Sequence, residues 1–485
     1  MSIKLIQNAA NADENVLNRY QHALFALTEN EDKSIPFAQI LATKLSRIKK
    51  EYKYLGKSPV TVDLPNGGLA SFVILNESLT PFQRHTLLRK ATKQIIDEQP
   101  EKIALCIYGN EDIRNINACA AYYVLTVNSA AITNRKKSAP ISNLNQIDIF
   151  GYQAAHDYGL IDARVAGNIL CRQLTTTPPN DLTPAIYREK IRTLAKESGW
   201  RHEEYDMLKL KEMGAGAFVA VGQGSDPQDA AIIHLTYQAE LEKKHIAIIG
   251  KGICFDTGGH NLKPAKYMLG MHEDMNGSAV ALGILLAATK MKLPIKIDCW
   301  LAIAQNHISP TAYKQNDIVT ALNGMSIEIV HTDAEGRMVL ADTLTLASRQ
   351  KPNYIIDFAT LTGSMITALG DRISGVISNR TELACKAVCA GNKAGERIVA
   401  FPYEEDFDSD LESDVADIKQ CTLEGGGDHI HAARFLGKFI ENDISWLHTD
   451  LSSANRKGGL GAIEADTNGF GVGFGVEMLK LLIED

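Results

Sequence analysis

Hydrophobic positions come in short runs separated by polar, glycine-rich breaks. In the first 150 residues, 70–75 (ASFVIL) and 103–108 (IALCIY) predict strands, and 79–96 predicts a helix with Pro81 near its start. The charged stretch 134–142 (NRKKSAPIS) reads as a linker or exposed loop. A long helix is expected over 152–174, broken at TTTPPNDLTP; there Thr183 suits an N-cap and Pro184 the first position of a helix running toward Gly199. From about Ile246 onward strands alternate with helices. Strands are expected at 245–249, 295–304, 327–330 and 353–358, with helices at 278–290 and 338–348. These strands are β-branched and continuous, as buried parallel strands are. The pattern predicts an α/β fold: a smaller N-terminal α/β domain, and a larger C-terminal domain with a central, mostly parallel sheet flanked by helices. Boundaries are expected at 1–145, a linker helix at 146–175, and the larger domain at 176–485. In such sheets the site lies beyond the carboxyl ends of the strands.

Composition changes the picture little. The chain has 485 residues, 45% hydrophobic and 22% charged, ordinary for a globular protein that needs no disulfides. Its net charge of −8 argues against a dedicated nucleic-acid or anionic-membrane binder, although Arg135-Lys136-Lys137 leaves a small basic run. The eight cysteines include no CxxC pair, so they read as buried thiols in a reducing compartment. Cys385 and Cys389 are four apart, on one face if helical. No signal peptide or membrane-spanning run is apparent, and a cytoplasmic location is expected.

The chemistry gathers at the predicted strand ends. Gly250-Lys251-Gly252-Ile253-Cys254-Phe255-Asp256-Thr257-Gly258-Gly259 follows one strand, His331-Thr332-Asp333-Ala334-Glu335-Gly336-Arg337 another, and Ala359-Thr360-Leu361-Thr362-Gly363 a third. His272-Glu273-Asp274-Met275 precedes a helix. Asp333 and Glu335, two apart, would share a face in extended chain, with Arg337 continuing it. Four carboxylates converging on one crevice (Asp256, Asp274, Asp333, Glu335) would repel unless compensated. Two divalent cations would cancel them. Each turn alone has a duller reading. A single Asp-x-Glu is usually a solvated turn, and the GKG turn lacks both dinucleotide and P-loop spacing.

Taken together, the GKGICFDTGG…LKP, HTDAEGR and DFATLTG blocks closely resemble the leucyl aminopeptidase (cytosol aminopeptidase, peptidase M17) family. The likeness covers about residues 145–485 and extends to the PPNDLTP loop, Val415–Lys419 and His448-Thr449-Asp450. The resemblance implies a dinuclear metalloaminopeptidase that removes leucine or another hydrophobic residue from peptides, with a role in intracellular peptide turnover. It implies two divalent ions per subunit, Mn²⁺ or Zn²⁺, held by Lys251, Asp256, Asp274, Asp333 and Glu335. A free α-amine on one metal would fix the first peptide bond. A lysine ligand must be neutral; deprotonation at pH 7 costs roughly 4–5 kcal/mol, which metal binding of order ~10 kcal/mol can offset. Lys263 and Arg337 become the catalytic residues. Lys263 would stabilise the oxyanion, and Arg337 with the backbone of Ala334, Gly336 and Leu361 would hold bicarbonate as general base. Met271, Thr360, Leu361 and Gly363 would bind substrate, with the Ser452–Asn455 stretch making the pocket more polar. A homohexamer is implied too.

Three departures stand out: His331 replaces the hallmark asparagine, and His260 and Asn261 alter the stretch before Lys263. They are expected to lie outside the set of metal ligands. Two other functions remain to be weighed, a DNA-binding regulator and a two-metal phosphoesterase. The lysine ligand and the DAEGR block favour the peptidase.

Overall fold

The computed structural model describes residues 3–30, 35–132, 134–137, 142–155, 157–226 and 228–485. The chain forms two compact units, one of Met1–Val165 with Arg456–Asn468, the other of Ala166–Asn455 with Gly469–Asp485.

The first unit is built on six strands: β1 (Lys4–Asn8), β2 (His22–Leu27), β3 (Val60–Asp63), β4 (Leu69–Ile74), β5 (Lys102–Ile107) and β6 (Gln146–Phe150). Their order is β1-β6-β5-β2-β4-β3, and only β3 pairs antiparallel. The central strands are buried on both faces, which is why their sequences run apolar without alternation. Phe25 stacks on Phe72 at 4.4 Å between ring centres. The expected helix is Pro81–Asp97, started by a capping box in which Thr80 and Gln83 satisfy each other's backbone N–H groups.

The second unit adds β7 (Arg201–Asp206), β8 (Ala231–Gln238), β9 (His245–Asp256), β10 (Lys296–Asn306), β11 (Ile318–Thr320), β12 (Ser326–Glu328), β13 (Tyr354–Ala359), β14 (Ser374–Ser378), β15 (Ile398–Ala400), β16 (Ile418–Lys419) and β17 (Ser445–Asp450). Eight of them form one sheet in the order β15-β14-β17-β13-β9-β10-β8-β7. The middle run β17-β13-β9-β10 is parallel. The mostly parallel sheet with flanking helices is therefore as expected. Gly250 lies where β9 meets the helix Asn276–Lys290: a Cβ there would come within 2.4 Å of the Ser278 Cα. That close approach accounts for the GKG run without any phosphate loop.

Several sequence expectations need correction. The predicted strand 327–330 is the short β12, paired with β11 and β16 in a separate three-stranded sheet. The strand predicted at 245–249 continues to Asp256, so 250–256 is ladder rather than turn. The helix expected over 152–174 begins only at Gly159. Thr183 and Pro184 do start the helix Pro184–Ser198, which Gly199 ends in a left-handed conformation. The cysteines are not all buried: Cys119 is partly accessible, and Cys385 and Cys389 are exposed on the helix Thr381–Ala394. Of the stretch 134–142, residues 138–141 lie outside the described residues. Among the described residues, no helix is long and apolar enough to cross a membrane.

Candidate active site

Lys251 and Asp256 both come from β9, five residues apart, which strict alternation would put on opposite faces. The ladder with β10 slips just there. Ile253 pairs with Ala304 but Asp256 pairs with Asn306, leaving one extra residue on β9. This bulge turns Asp256 toward the side of Lys251. Asn306 then donates from Nδ2 to Asp256 Oδ1 at 2.8 Å, and the Gly258 N–H donates to the same oxygen at 2.8 Å.

The other carboxylates arrive from the turns. Asp274 lies in the 3₁₀ turn Met271–Met275, and Glu335 opens the helix Glu335–Arg349. Asp333 and Glu335 do not share an extended strand as expected, because the chain turns at 332–333 and is helical from Glu335. They meet all the same: one oxygen from each of Asp256, Asp333 and Glu335 lies within 4.8 Å of the others. Lys251 Nζ sits 2.8 Å from Asp274 Oδ2 and 2.9 Å from Glu335 Oε1, and donates to the Thr360 carbonyl at 3.0 Å. Lys263 Nζ is 2.9 Å from Asp256 Oδ2 and 2.5 Å from Asp333 Oδ1. Gly336 leaves room for this arrangement, since a Cβ there would come within 2.7 Å of the Lys251 Nζ.

Burial opposes the charges of Asp274, Asp333, Glu335, Lys251 and Lys263. It pushes the carboxyls of Asp274, Asp333 and Glu335 up, with neighbouring carboxylates adding to the rise. For Lys251 and Lys263 burial acts downward, but the surrounding carboxylates outweigh it and hold both as ammonium ions. Two ammoniums thus serve four carboxylates, and Glu335 Oε2 is left buried with no hydrogen-bond partner among the described residues. An orphaned carboxylate oxygen amid hard oxygen ligands fits a divalent cation.

These residues line one cavity of about 580 Å³, which also takes in Met271, His331, Ala334, Arg337, Thr360, Leu361, Gly363 and Ser452. Arg337 is buried; its Nη2 donates to Asp428 Oδ1 at 2.8 Å and its Nη1 to the Gln420 carbonyl at 3.1 Å. The Leu361 N–H donates to Asp450 Oδ1 at 3.1 Å. Ser452 lines the cavity but gives its hydroxyl proton to the Ile373 carbonyl, while Asn455 donates to the Glu273 carboxylate. His331 accepts the Asp333 N–H at Nδ1, the turn bond an asparagine oxygen would accept. Asn261 exchanges bonds with Thr332, tying the loop of Lys263 to the turn before Asp333. His260 donates from Nδ1 to the Tyr313 carbonyl. Sequence reasoning passed over Asn306 and Asp428. Asn306 is an ordinary residue at a strand end, whereas Asp428 follows a run of three glycines and could have been noticed.

Carboxylates and amines gathered at the C-terminal edge of a parallel sheet stand where such folds place their ligands and suit chemistry assisted by a cation. Residues 169–479 match the catalytic-domain model of the cytosol aminopeptidase family. A probable cytosol aminopeptidase of Corynebacterium diphtheriae is 34% identical over 412 residues, 84% of this chain and 81% of the relative. Among solved structures, a variant of tomato leucine aminopeptidase aligns with a TM-score of 0.85 and 28% identity, over 99% of this chain and 96% of the other. The bottromycin maturation enzyme BotP, in complex with Mn, aligns with a TM-score of 0.83 and 27% identity, over 95% and 99%. The chain belongs to the cytosol aminopeptidase family. It is a hydrolase of the aminopeptidase type, acting on peptides.

Proposed function

We propose that the cavity is a dinuclear aminopeptidase centre, with Lys251, Asp256, Asp274, Asp333 and Glu335 holding two divalent ions. The reading is carried by the four carboxylates that converge around two lysines while Glu335 Oε2 stays unpartnered. The BotP complex makes Mn²⁺ a natural choice, and Zn²⁺ suits the same ligands. When bound, the ions would polarise the scissile carbonyl and lower the pKa of a water molecule. Lys263 then points its ammonium at the carbonyl oxygen, where negative charge develops. Met271, Thr360, Leu361 and Gly363 would receive the first side chain, leucine or another hydrophobic residue. The homohexamer and the role in peptide turnover belong to the same reading.

Asp333→Ala and Glu335→Ala are expected to lose hydrolysis of leucyl anilide together with bound metal. Elemental analysis still finding two tight ions per subunit in both variants would overturn the ligand assignment. Ser452 adds a polar wall to the pocket, so methionine is expected to rival leucine. A leucine preference beyond about tenfold, worth roughly 1.4 kcal/mol, would contradict that polarity.

A further inference from the structure

A second cavity, of about 310 Å³, lies at the other end of the eight-stranded sheet, lined by Gly199, Arg201, Thr236, Gln238 and Lys296. β9 runs from His245, the register partner of Lys296, to Asp256 in the catalytic cavity, so about 35 Å of strand separates the two. Strand register builds the second cavity. β7 and β8 pair Arg201 with Thr236, and β8 and β10 pair Gln238 with Lys296. Thr236 and Gln238 are two apart on β8, so all four side chains stand on one face of the sheet. Gly199 closes the preceding helix at φ 72°, and a Cβ there would meet nothing within 4 Å, so that side stays open. Cations on neighbouring strands are ordinarily met by acids across the ladder. The acid here is Asp298, opposite Thr236, and both its oxygens are taken. Oδ1 accepts from His234 Nε2 at 2.9 Å and Thr236 Oγ1 at 3.0 Å, and Oδ2 accepts from His245 Nε2 at 2.5 Å. Lys296 Nζ stands 3.5 Å from Oδ2, beyond a good hydrogen bond. Glu203, on the same face of β7, is paired with Lys209 at 3.0 Å. Among the described residues the exposed Arg201 guanidinium has no ion-pair or hydrogen-bond partner. Two under-compensated cations thus share a cavity that no carboxylate lines, in a chain of net charge −8.

We propose that this cavity binds a phosphate group, free or as the monoester of a small molecule. Arg201 offers a planar fork of N–H donors that suits two phosphate oxygens, Lys296 a point charge, and Gln238 a neutral amide. Two positive charges match a phosphate dianion better than a single carboxylate. Thr236 gives its hydroxyl proton to Asp298 and so only shapes the wall. A basic edge left to solvent would show no preference among anions. The proposal is independent of the aminopeptidase reading and involves no bond making or breaking in the ligand.

The test is calorimetric titration of the metal-loaded full chain with inorganic phosphate and with glycerol 2-phosphate, against chloride and acetate at matched ionic strength. Saturable binding is expected for the phosphates alone. Because phosphate also meets metal ions, variants identify the site. Arg201→Gln and Lys296→Gln should each weaken phosphate binding about tenfold or more, and Lys296→Arg should keep it. All three should hydrolyse leucyl anilide at the wild-type rate, since neither residue lines the catalytic cavity. A monoester that binds more tightly than inorganic phosphate makes an organic phosphate the ligand; otherwise inorganic phosphate is the ligand. Phosphate affinity unchanged in both Gln variants would place the anion at the metals and overturn the proposal. So would chloride and acetate competing as well as phosphate, the signature of simple screening, or no phosphate binding at all.

Discussion

Lys263 is held between Asp256 and Asp333. Both partners are proposed metal ligands, so cation binding would release its ammonium for the substrate. Lys263→Ala should therefore keep both ions yet lower kcat by about 10²–10³-fold, the usual cost of one oxyanion donor. A change confined to KM would show that Lys263 only binds substrate. The carboxylates of the site were legible as a cluster needing compensating cations, whereas Lys251 and Lys263 were singled out only through the resemblance of the contiguous blocks that hold them. Asn306 and Asp428 were not legible, since each reaches the site through tertiary pairing: one by the β9–β10 register, the other by its ion pair with Arg337.

At the scale of elements, hydrophobic runs announced the buried strands, but their ends depended on neighbours. β9 runs on through Lys251 because β10 pairs with it as far as Asn306, and no local pattern marks the bulge. The helix Glu335–Arg349 carries its own buried acid, Asp342, whose carboxylate accepts the N–H groups of Phe218 at 2.8 Å and Leu322 at 2.7 Å. It thereby fixes the short helix Gly216–Gly222 and the turn after β11. Burial raises its carboxyl from 3.8 to about 6, against the pull of those N–H groups. A folded value above the unfolded one means the native state binds this proton more tightly. The contribution is fully present below about pH 4 and is lost as pH rises through about 6. The span corresponds to about 3 kcal/mol at most. Urea unfolding of wild type and Asp342→Asn across this window should show wild type losing ground to the variant as pH rises. A difference that stays flat with pH would show that the Asp342 carboxyl is not raised in the folded state.

At the scale of the whole molecule, the return of Arg456–Asn468 to the first unit has no signature in the hydrophobic pattern, because it rests on contacts far apart in sequence. The balance of charge in the catalytic unit leads to the last prediction. Four carboxylates face two ammoniums in the ion pairs of Lys251 and Lys263, so the chain has internal counter-ions for much of its site charge. Chelator-treated protein should therefore stay folded and melt lower. Its loss should follow mass action, about 2.7 kcal/mol for a ligand at 100 times its Kd. Binding through Lys251 requires the neutral amine, so the ammonium seen between Asp274 and Glu335 must give up its proton to solvent. Working at alkaline pH favours ionisation of the carboxyls that burial has pushed up, while the surrounding carboxylates keep Lys251 charged. Calorimetry in two buffers of different ionisation enthalpy should then record proton release from wild type on metal addition. Lys251→Arg, whose guanidinium stays protonated, should release about one proton fewer and bind one ion less tightly. If Lys251→Arg binds both ions as wild type does, with equal proton release, Lys251 is a counter-ion rather than a ligand.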